Sequence, residues 1–238
     1  MILAGKTYVG RRSNNEDSFC VNNNSGHSFA IVSDGMGGHA AGETASRICV
    51  ETVSSILNMS EDISVAVLQD AFRQANTAVL QEASNNEALY GMGATLVCTV
   101  LLKDQYLAAN VGDSRLYHFH NGSLRQVSHD HSFVAELVRR NLITPAEAKV
   151  HPNRNIITRA IGSESRLKVD VFQCEWEKDD ILLLCSDGLS GVLDDDVLAS
   201  YLAADTDLNS LCSTLIQQAY DLGSTDNITV VLAKNSEK

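Results

Sequence analysis

Aromatic residues are scarce, 5% of 238 positions, so any core this chain builds must come mostly from leucine, valine, isoleucine and alanine. Hydrophobic residues still reach 44%, enough for a sizeable interior, and charged residues stop at 20%, too few for a disordered chain. No C-x-x-C pair occurs. Cys20, Cys49, Cys98, Cys174, Cys185 and Cys212 stand far apart, most of them inside apolar runs. That spacing argues against a disulfide framework or a zinc knuckle and predicts reduced, core-packed thiols in a cytosolic protein. No uncharged apolar run approaches transmembrane length, and no basic segment leads into an apolar stretch at the start. Neither a membrane span nor a signal peptide is therefore expected. Positive charge is short as well: 18 basic against 30 acidic residues give a formal charge of −12. Broad nucleic-acid or anionic-membrane binding needs the opposite footprint. Carboxylates clustered around a divalent cation fit that balance.

The chain is organised around Ile31–His39, I-V-S-D-G-M-G-G-H. Phe29–Val32 reads as a strand that ends at Asp34, and Gly35, Gly37 and Gly38 let backbone approach something held there. A tight turn without chemistry is the alternative, and the segment alone leaves both open. Upstream, Thr7–Arg12 leads into the polar turn Ser13–Asp17, with a short strand at Ser18–Val21. Ala45, Ile48, Cys49, Val53, Ile56 and Leu57 recur at helical spacing, as do Leu68, Ala71, Phe72, Ala75, Ala78 and Val79, predicting two amphipathic helices that each cover a sheet. The period then changes. Ala94–Leu102, Tyr106–Val111, Leu116–His120 and Leu124–Val127 read as strands, with Asn121-Gly122 as a hairpin turn. Connections this short make them antiparallel.

Residues 128–165 break the strand pattern. They predict a helix over Ser132–Asn141, a capping box at Thr144–Glu147 with Pro145 at the first helical position, and a small flap subdomain. Strands resume at Leu167–Trp176 and Asp180–Cys185. Helices follow at about Asp194–Leu202 and Leu208–Asp221, and then a strand at Ile228–Ala233. The pattern is α+β, read as one domain over residues 1–238 with the flap inserted in it.

Carboxylates recur where apolar strands begin or end. Asp34 and Asp187 sit in S-D-G after such strands, Asp113 follows Y-L-A-A-N-V-G, Asp226 precedes N-I-T-V-V-L-A, and Glu16 and Asp17 occupy the first turn near Arg12. Brought together they would repel, so the cluster calls for cations, and oxygen ligands suit Mg²⁺ or Mn²⁺ better than zinc.

The ordered set R-S-N-N-E-D (Arg12–Asp17), D-G-M-G-G-H (Asp34–His39), G-D-S-R (Gly112–Arg115), S-D-G (Ser186–Gly188) and D-N-I-T (Asp226–Thr229) resembles the metal-dependent serine/threonine phosphatases of the PP2C (PPM) type, and within them the compact bacterial single-domain members. M-G-A-T near Gly93 and the D-H-S and R-A-I-G segments beside the flap extend the resemblance over nearly the whole chain. It implies a central sandwich of two antiparallel β-sheets flanked by pairs of α-helices. It implies two core Mn²⁺ or Mg²⁺ ions, with Asp34 bridging them, the Gly35 carbonyl on the second, and Asp187 and Asp226 on the first. Glu16 and Asp17 would act near the ions, partly through water, and Asp113 with Asp187 would form a weaker third site. Some members carry a further Asp four residues after the S-D-G aspartate; here that position is Gly191.

In the chemistry so implied, an ion-bridged hydroxide attacks phosphorus in line while Arg12 grips the phosphate. His39 is the candidate acid for the leaving alkoxide, because histidine titrates in the right range. Members for which that acid is argued carry it directly after Asp-Gly, whereas Met36-Gly37-Gly38 intervene here. The implied partners are phosphorylated proteins and a cognate Ser/Thr kinase, with the chain a cytoplasmic monomer that binds neither nucleic acid nor membrane.

Each motif taken singly has a plainer reading. Asp-Gly is common in turns, Asp113 could be a hairpin residue, Asp226 could form an Asx-turn, and Arg12 could be a solvated charge. Their joint order favours the metal site. Gly35–Gly38 lacks the Lys-Ser/Thr ending of a nucleotide-binding loop. His118/His120 and His129/His131 are H-x-H pairs, which on a strand face the same side and could take a transition metal. No Cys or third His lies nearby in sequence, so packed or surface histidines are the favoured reading. Asp194–Asp196 reads as a helix N-terminus. A non-catalytic phosphatase-like binding module and a phosphoesterase for small substrates are the competing functions.

Overall fold

A computed structural model describes residues 1–23, 26–37 and 40–236. Two strands carry the logic of the fold. In β3 (Ser28–Met36) Phe29 and Ile31 point to one side while Ala30 and Val32 point to the other, and all four are buried. In β10 (Ile181–Cys185) Leu183 and Cys185 face one way and Leu182 and Leu184 the other, again buried. Strands covered on both faces show as continuous apolar runs, F-A-I-V and I-L-L-L-C, with no polar alternation.

Each of these strands lies inside one sheet. The first sheet runs β1-β11-β10-β7-β8, from β1 (Ile2–Tyr8), β11 (Ile228–Lys234), β10, β7 (Arg115–His120) and β8 (Ser123–Gln126). The second runs β2-β3-β5-β6-β9, from β2 (Asp17–Asn22), β3, β5 (Leu96–Leu101), β6 (Gln105–Val111) and β9 (Asp170–Glu175), with β4 (Gly93–Ala94) beside β3. All pairings are antiparallel.

Helices α1 (Ala40–Met59) and α2 (Val65–Asn85) cover the second sheet with the apolar faces their spacing predicts, Ala45, Cys49, Val53 and Leu57 against Leu68, Phe72, Ala75 and Val79. The first sheet is covered by α5 (Asp187–Ser190), α6 (Asp195–Leu202) and α7 (Leu208–Asp221). A third apolar layer, with Val97, Tyr106, Leu116, Trp176 and Val231, fills the space between the sheets. The order is helix, sheet, sheet, helix, as the resemblance implied.

Several boundaries move. The strand through Ile31 does not stop at Asp34. It continues to Met36, because Gly35 and Met36 pair with Ala94 and Gly93. The run expected over Ala94–Leu102 breaks at Thr95, where backbone N–H donates to the Asp34 carbonyl (2.8 Å) and the hydroxyl accepts from the Asp34 N–H (2.9 Å). The strand Leu167–Trp176 narrows to β9, and the helix Ser132–Asn141 narrows to α3 (Phe133–Arg139) with Ser132 as N-cap. The capping box forms as read at the start of α4 (Pro145–Lys149). Asn121 and Gly122 take positive φ (48° and 79°), the backbone an Asn-Gly hairpin needs. All six cysteines are free thiols.

Candidate metal centre

The strand ends bring the carboxylates to one end of the sandwich. Asp17 and Asp34 are register partners on β2 and β3. Asp113 sits in the β6–β7 turn after Gly112, whose φ of 105° makes the turn. Asp187 is the first residue of α5, at the exit of β10, and Asp226 precedes β11. Asp17 comes from one sheet but is held by the other: its Oδ2 accepts from the Ser186 hydroxyl (2.7 Å) and the Thr229 hydroxyl (2.6 Å).

Without a cation this cluster is electrostatically costly. Asp34 is raised well above the usual carboxylate range, first by burial and then by the charges of Asp17, Asp187, Asp113 and Asp226. Burial, then the charge of Asp187, pushes Asp113 up to about 7. Asp17 is pushed up to about 7 by burial, against the pull of its two hydroxyl donors. Asp187 rises to about 6, again through burial and then through Asp226. The charge of Asp187 is among those that raise Asp34, so the two carboxylates repel when both are ionised. Asp17 Oδ1 and Asp187 Oδ1 are buried with no hydrogen-bond partner. Paired carboxylates with orphaned oxygens are the donor set a hard divalent cation satisfies, so the residues present fit the group.

The remaining predicted residues lie around this cluster. Arg12 is in the loop after β1, 57% exposed, with Nη2 2.7 Å from Asp226 Oδ2. That loop is stitched by Asn227, whose amide donates to the carbonyls of Val9 and Asn14 (2.9 Å each) and accepts from the Glu16 N–H (2.8 Å). The Glu16 carboxylate lies against α1, where a Cβ on Gly42 would come within 2.2 Å of its Oε2. Gly35 is glycine for a packing reason besides any role of its carbonyl: a Cβ there would fall 2.0 Å from the Gly42 carbonyl oxygen. Gly191 caps α5 through its N–H to the Asp187 carbonyl (2.7 Å) and offers no ligand. His39 lies outside the described residues.

Sequence reasoning passed over the polar groups that shape the cluster. Thr95 locks Asp34, and its hydroxyl meets that of Ser114 at 2.6 Å. Arg115 grips Asp130 with Nε and Nη2 (2.7–3.1 Å) and donates to the Tyr117 hydroxyl (2.8 Å), tying the flap root to the β6–β7 turn. Arg159 donates to Asp170 (2.7 Å), anchoring the other end of the flap to β9. All four positions fall inside motifs noted for other residues, which was their only signal. A cleft of about 650 Å³ lies between the flap helices and the cluster, with Asp113, Asp187, Ala135, Lys149 and Asp194 on its walls. A larger cavity of about 1000 Å³ sits at the opposite end of the sandwich.

Comparison with known proteins gives one answer throughout. The family profile described as protein phosphatase 2C matches residues 4–222. A serine/threonine phosphatase, stp, of Listeria welshimeri is 38% identical over 232 residues, covering 94% of this chain and 92% of its own. Among solved structures, serine/threonine phosphatase Stp1 from Staphylococcus aureus superposes with a TM-score of 0.93 at 34% identity, covering 98% of this chain and 94% of its own. The catalytic domain of the phosphatase PstP, in complex with two manganese ions, superposes with a TM-score of 0.88 at 32% identity, with coverage of 98% and 97%.

Proposed function

The chain belongs to the protein phosphatase 2C family, and from that premise we propose that it is a Mn²⁺- or Mg²⁺-dependent hydrolase of phosphoserine and phosphothreonine in proteins. The observation that carries the reading is the buried carboxylate cluster in which Asp17, Asp187, Asp113 and Asp226 all raise Asp34, with Asp17 Oδ1 and Asp187 Oδ1 left without partners. Asp34, Asp187 and Asp226 would hold two core ions with the Gly35 carbonyl, Glu16 and Asp17 would support them, and Asp113 with Asp187 would offer a weaker third site. Bound there, divalent cations make a water molecule acidic near neutral pH, for in-line attack on phosphorus, and draw charge from the phosphoryl oxygens.

The chain's own groups do the rest. Asp17 stays oriented because Ser186 and Thr229 pin one oxygen, leaving the other buried without a hydrogen-bond partner and free to bind a cation. Arg12 stands at the rim on a loop fixed by Asn227, so its guanidinium can exchange Asp226 for a phosphoryl group and fork onto two oxygens. His39 is proposed as the acid that protonates the leaving alkoxide. The flap, residues 128–165, borders the cleft and would govern which phosphorylated segment enters it. In this reading the protein is a cytoplasmic monomer that reverses the work of a Ser/Thr kinase.

Two substrates test it: para-nitrophenyl phosphate and a phosphothreonine peptide. Hydrolysis of both should require Mn²⁺, stop with EDTA, and be abolished in Asp34→Asn and Asp187→Asn. Failure of the metal-loaded protein to turn over either substrate ends the enzyme reading in favour of a binding module. Turnover of the small phosphate alone ends the protein-phosphatase reading.

A further inference from the structure

The His118/His120 pair finds its third partner in the fold. His118 and His120 project from the inner face of β7, two residues apart, at the end of the sandwich away from the carboxylate cluster. Asp180, at the entry to β10 and 60 positions from His120 in sequence, places its carboxylate between them. Asp180 Oδ2 lies 2.9 Å from His118 Nε2, and Asp180 Oδ1 lies 2.7 Å from His120 Nδ1. The three ligand atoms fall within 4.8 Å of one another. We propose that His118, His120 and Asp180 form a second metal site, separate from the catalytic carboxylates, that binds a late first-row divalent cation such as Zn²⁺.

Chemistry, geometry and surroundings support the assignment. Two imidazoles and one carboxylate form a borderline donor set that favours Zn²⁺ and its neighbours over Mg²⁺. With bonds of about 2.0–2.1 Å, ligand atoms around tetrahedral zinc stand about 3.4 Å apart, so the two His–Asp contacts of 2.9 and 2.7 Å open by about 0.5–0.7 Å while the widest of the three ligand-atom spacings, up to 4.8 Å, closes. Each ligand also has a partner that fixes its orientation. His118 Nδ1 faces the Tyr106 hydroxyl (3.3 Å), His120 Nε2 faces the Asn121 side-chain amide (2.8 Å), and Asp180 Oδ2 accepts from the Glu177 N–H (2.7 Å). Contacts of this kind hold the rings and the carboxylate in place; the Asn121 amide donates to His120 Nε2, so His120 Nδ1 carries the ring proton towards Asp180 and gives it up when a metal binds. Asp180 and His118 are buried while His120 stands at the rim, 42% exposed, which gives an ion a way in. All three residues line the 1000 Å³ cavity, so a fourth coordination position opens onto solvent-accessible space.

The other H-x-H pair marks the contrast. His129 and His131 also face a carboxylate, Asp170, but Arg159 Nη1 sits 2.7 Å from Asp170 Oδ1 and 2.9 Å from His131 Nε2. A fixed guanidinium already occupies that place. Among the described residues Asp180 makes no ion pair with lysine or arginine, only with the two histidines.

The inference stands apart from the phosphatase reading, and its test does not use turnover. The full-length protein is stripped with chelator and held in millimolar Mg²⁺ to occupy the carboxylate centre. Zn²⁺ retention is then measured by equilibrium dialysis, with melting temperature in parallel. Wild type and Asp187→Asn should each keep one tightly held zinc and melt higher with it. His120→Ala, a change at the exposed rim of the site, should weaken that zinc by at least ~10–100-fold and lose the thermal shift. Equal zinc binding by His120→Ala, or no zinc retained by wild type, overturns the proposal and leaves the three side chains as a hydrogen-bonded brace only.

Discussion

Replacing Asp113 by Asn should make the metal-free protein more stable, the reverse of what altering a part-buried polar residue usually does. Burial and the charges of Asp187 and Asp130 push its carboxyl up to about 7 from an ordinary value of 3.8. The folded chain therefore keeps a proton there that the unfolded chain gives up. Stability linked to that proton is fully present below about pH 4 and is lost as pH rises through about 7. A shift of about three units corresponds to about 4 kcal/mol. The side chain is only half-buried and solvent screens part of the repulsion, so a single neutral substitution should recover about 1–2 kcal/mol. In a chain of this length that is a rise in melting temperature of about 3–6 °C. Scanning calorimetry in EDTA at about pH 8 should show the gain, and the gain should shrink to a small fraction near pH 4, where wild-type Asp113 is already neutral. Saturating Mn²⁺ should shrink or reverse it, because cations then offset the repulsion. A lower melting temperature for Asp113→Asn in EDTA at about pH 8, or the same gain at both pH values, would refute the account of a strained cluster.

Two further substitutions separate grip from support. Arg12→Ala should raise KM for a phosphothreonine peptide by about tenfold or more through loss of a charge-assisted fork. It should change stability by under about 1 kcal/mol, since the Asp226 pair is exposed; an unchanged KM removes Arg12 from phosphate binding. Thr229→Val deletes the donor to Asp17 Oδ2 and the acceptor of the Thr7 hydroxyl, and should cost about 1–3 kcal/mol in urea unfolding, with a wild-type midpoint counting against the inter-sheet tie.

The sandwich was legible because its strands and helices carry clean periods. The bounds of α7 match the reading residue for residue, since its apolar face spans the whole helix. The Asp positions were legible because each interrupts an apolar run. What escaped were features set by contacts across the fold. The extension of β3 to Met36 depends on β4, a two-residue strand with no propensity signal of its own. The break at Thr95 depends on Asp34, 61 positions away. The pairing of Arg12 with Asp226 spans 214 positions, and the carboxylate that completes His118/His120 enters from another strand. Local pattern has no access to such partners, so from sequence the histidines read as packed or surface residues.

The pairing of β1 with β11 sets an order for biosynthesis. β11 lies between β1 and β10, so β1 has no neighbour in its sheet until residues 228–234 have been made. Tyr8 and Ile228 are 220 positions apart, which at ~5–20 residues per second means a wait of roughly 10–45 s on the ribosome. The second sheet with α1 and α2 draws on residues 17–175 and can assemble during that time. Asp226 and Thr229 arrive with β11, so the carboxylate cluster closes in the same step that completes the first sheet. A nascent chain short of that step lacks both the Arg12 partner and the Thr229 bond to Asp17, and acquires them together.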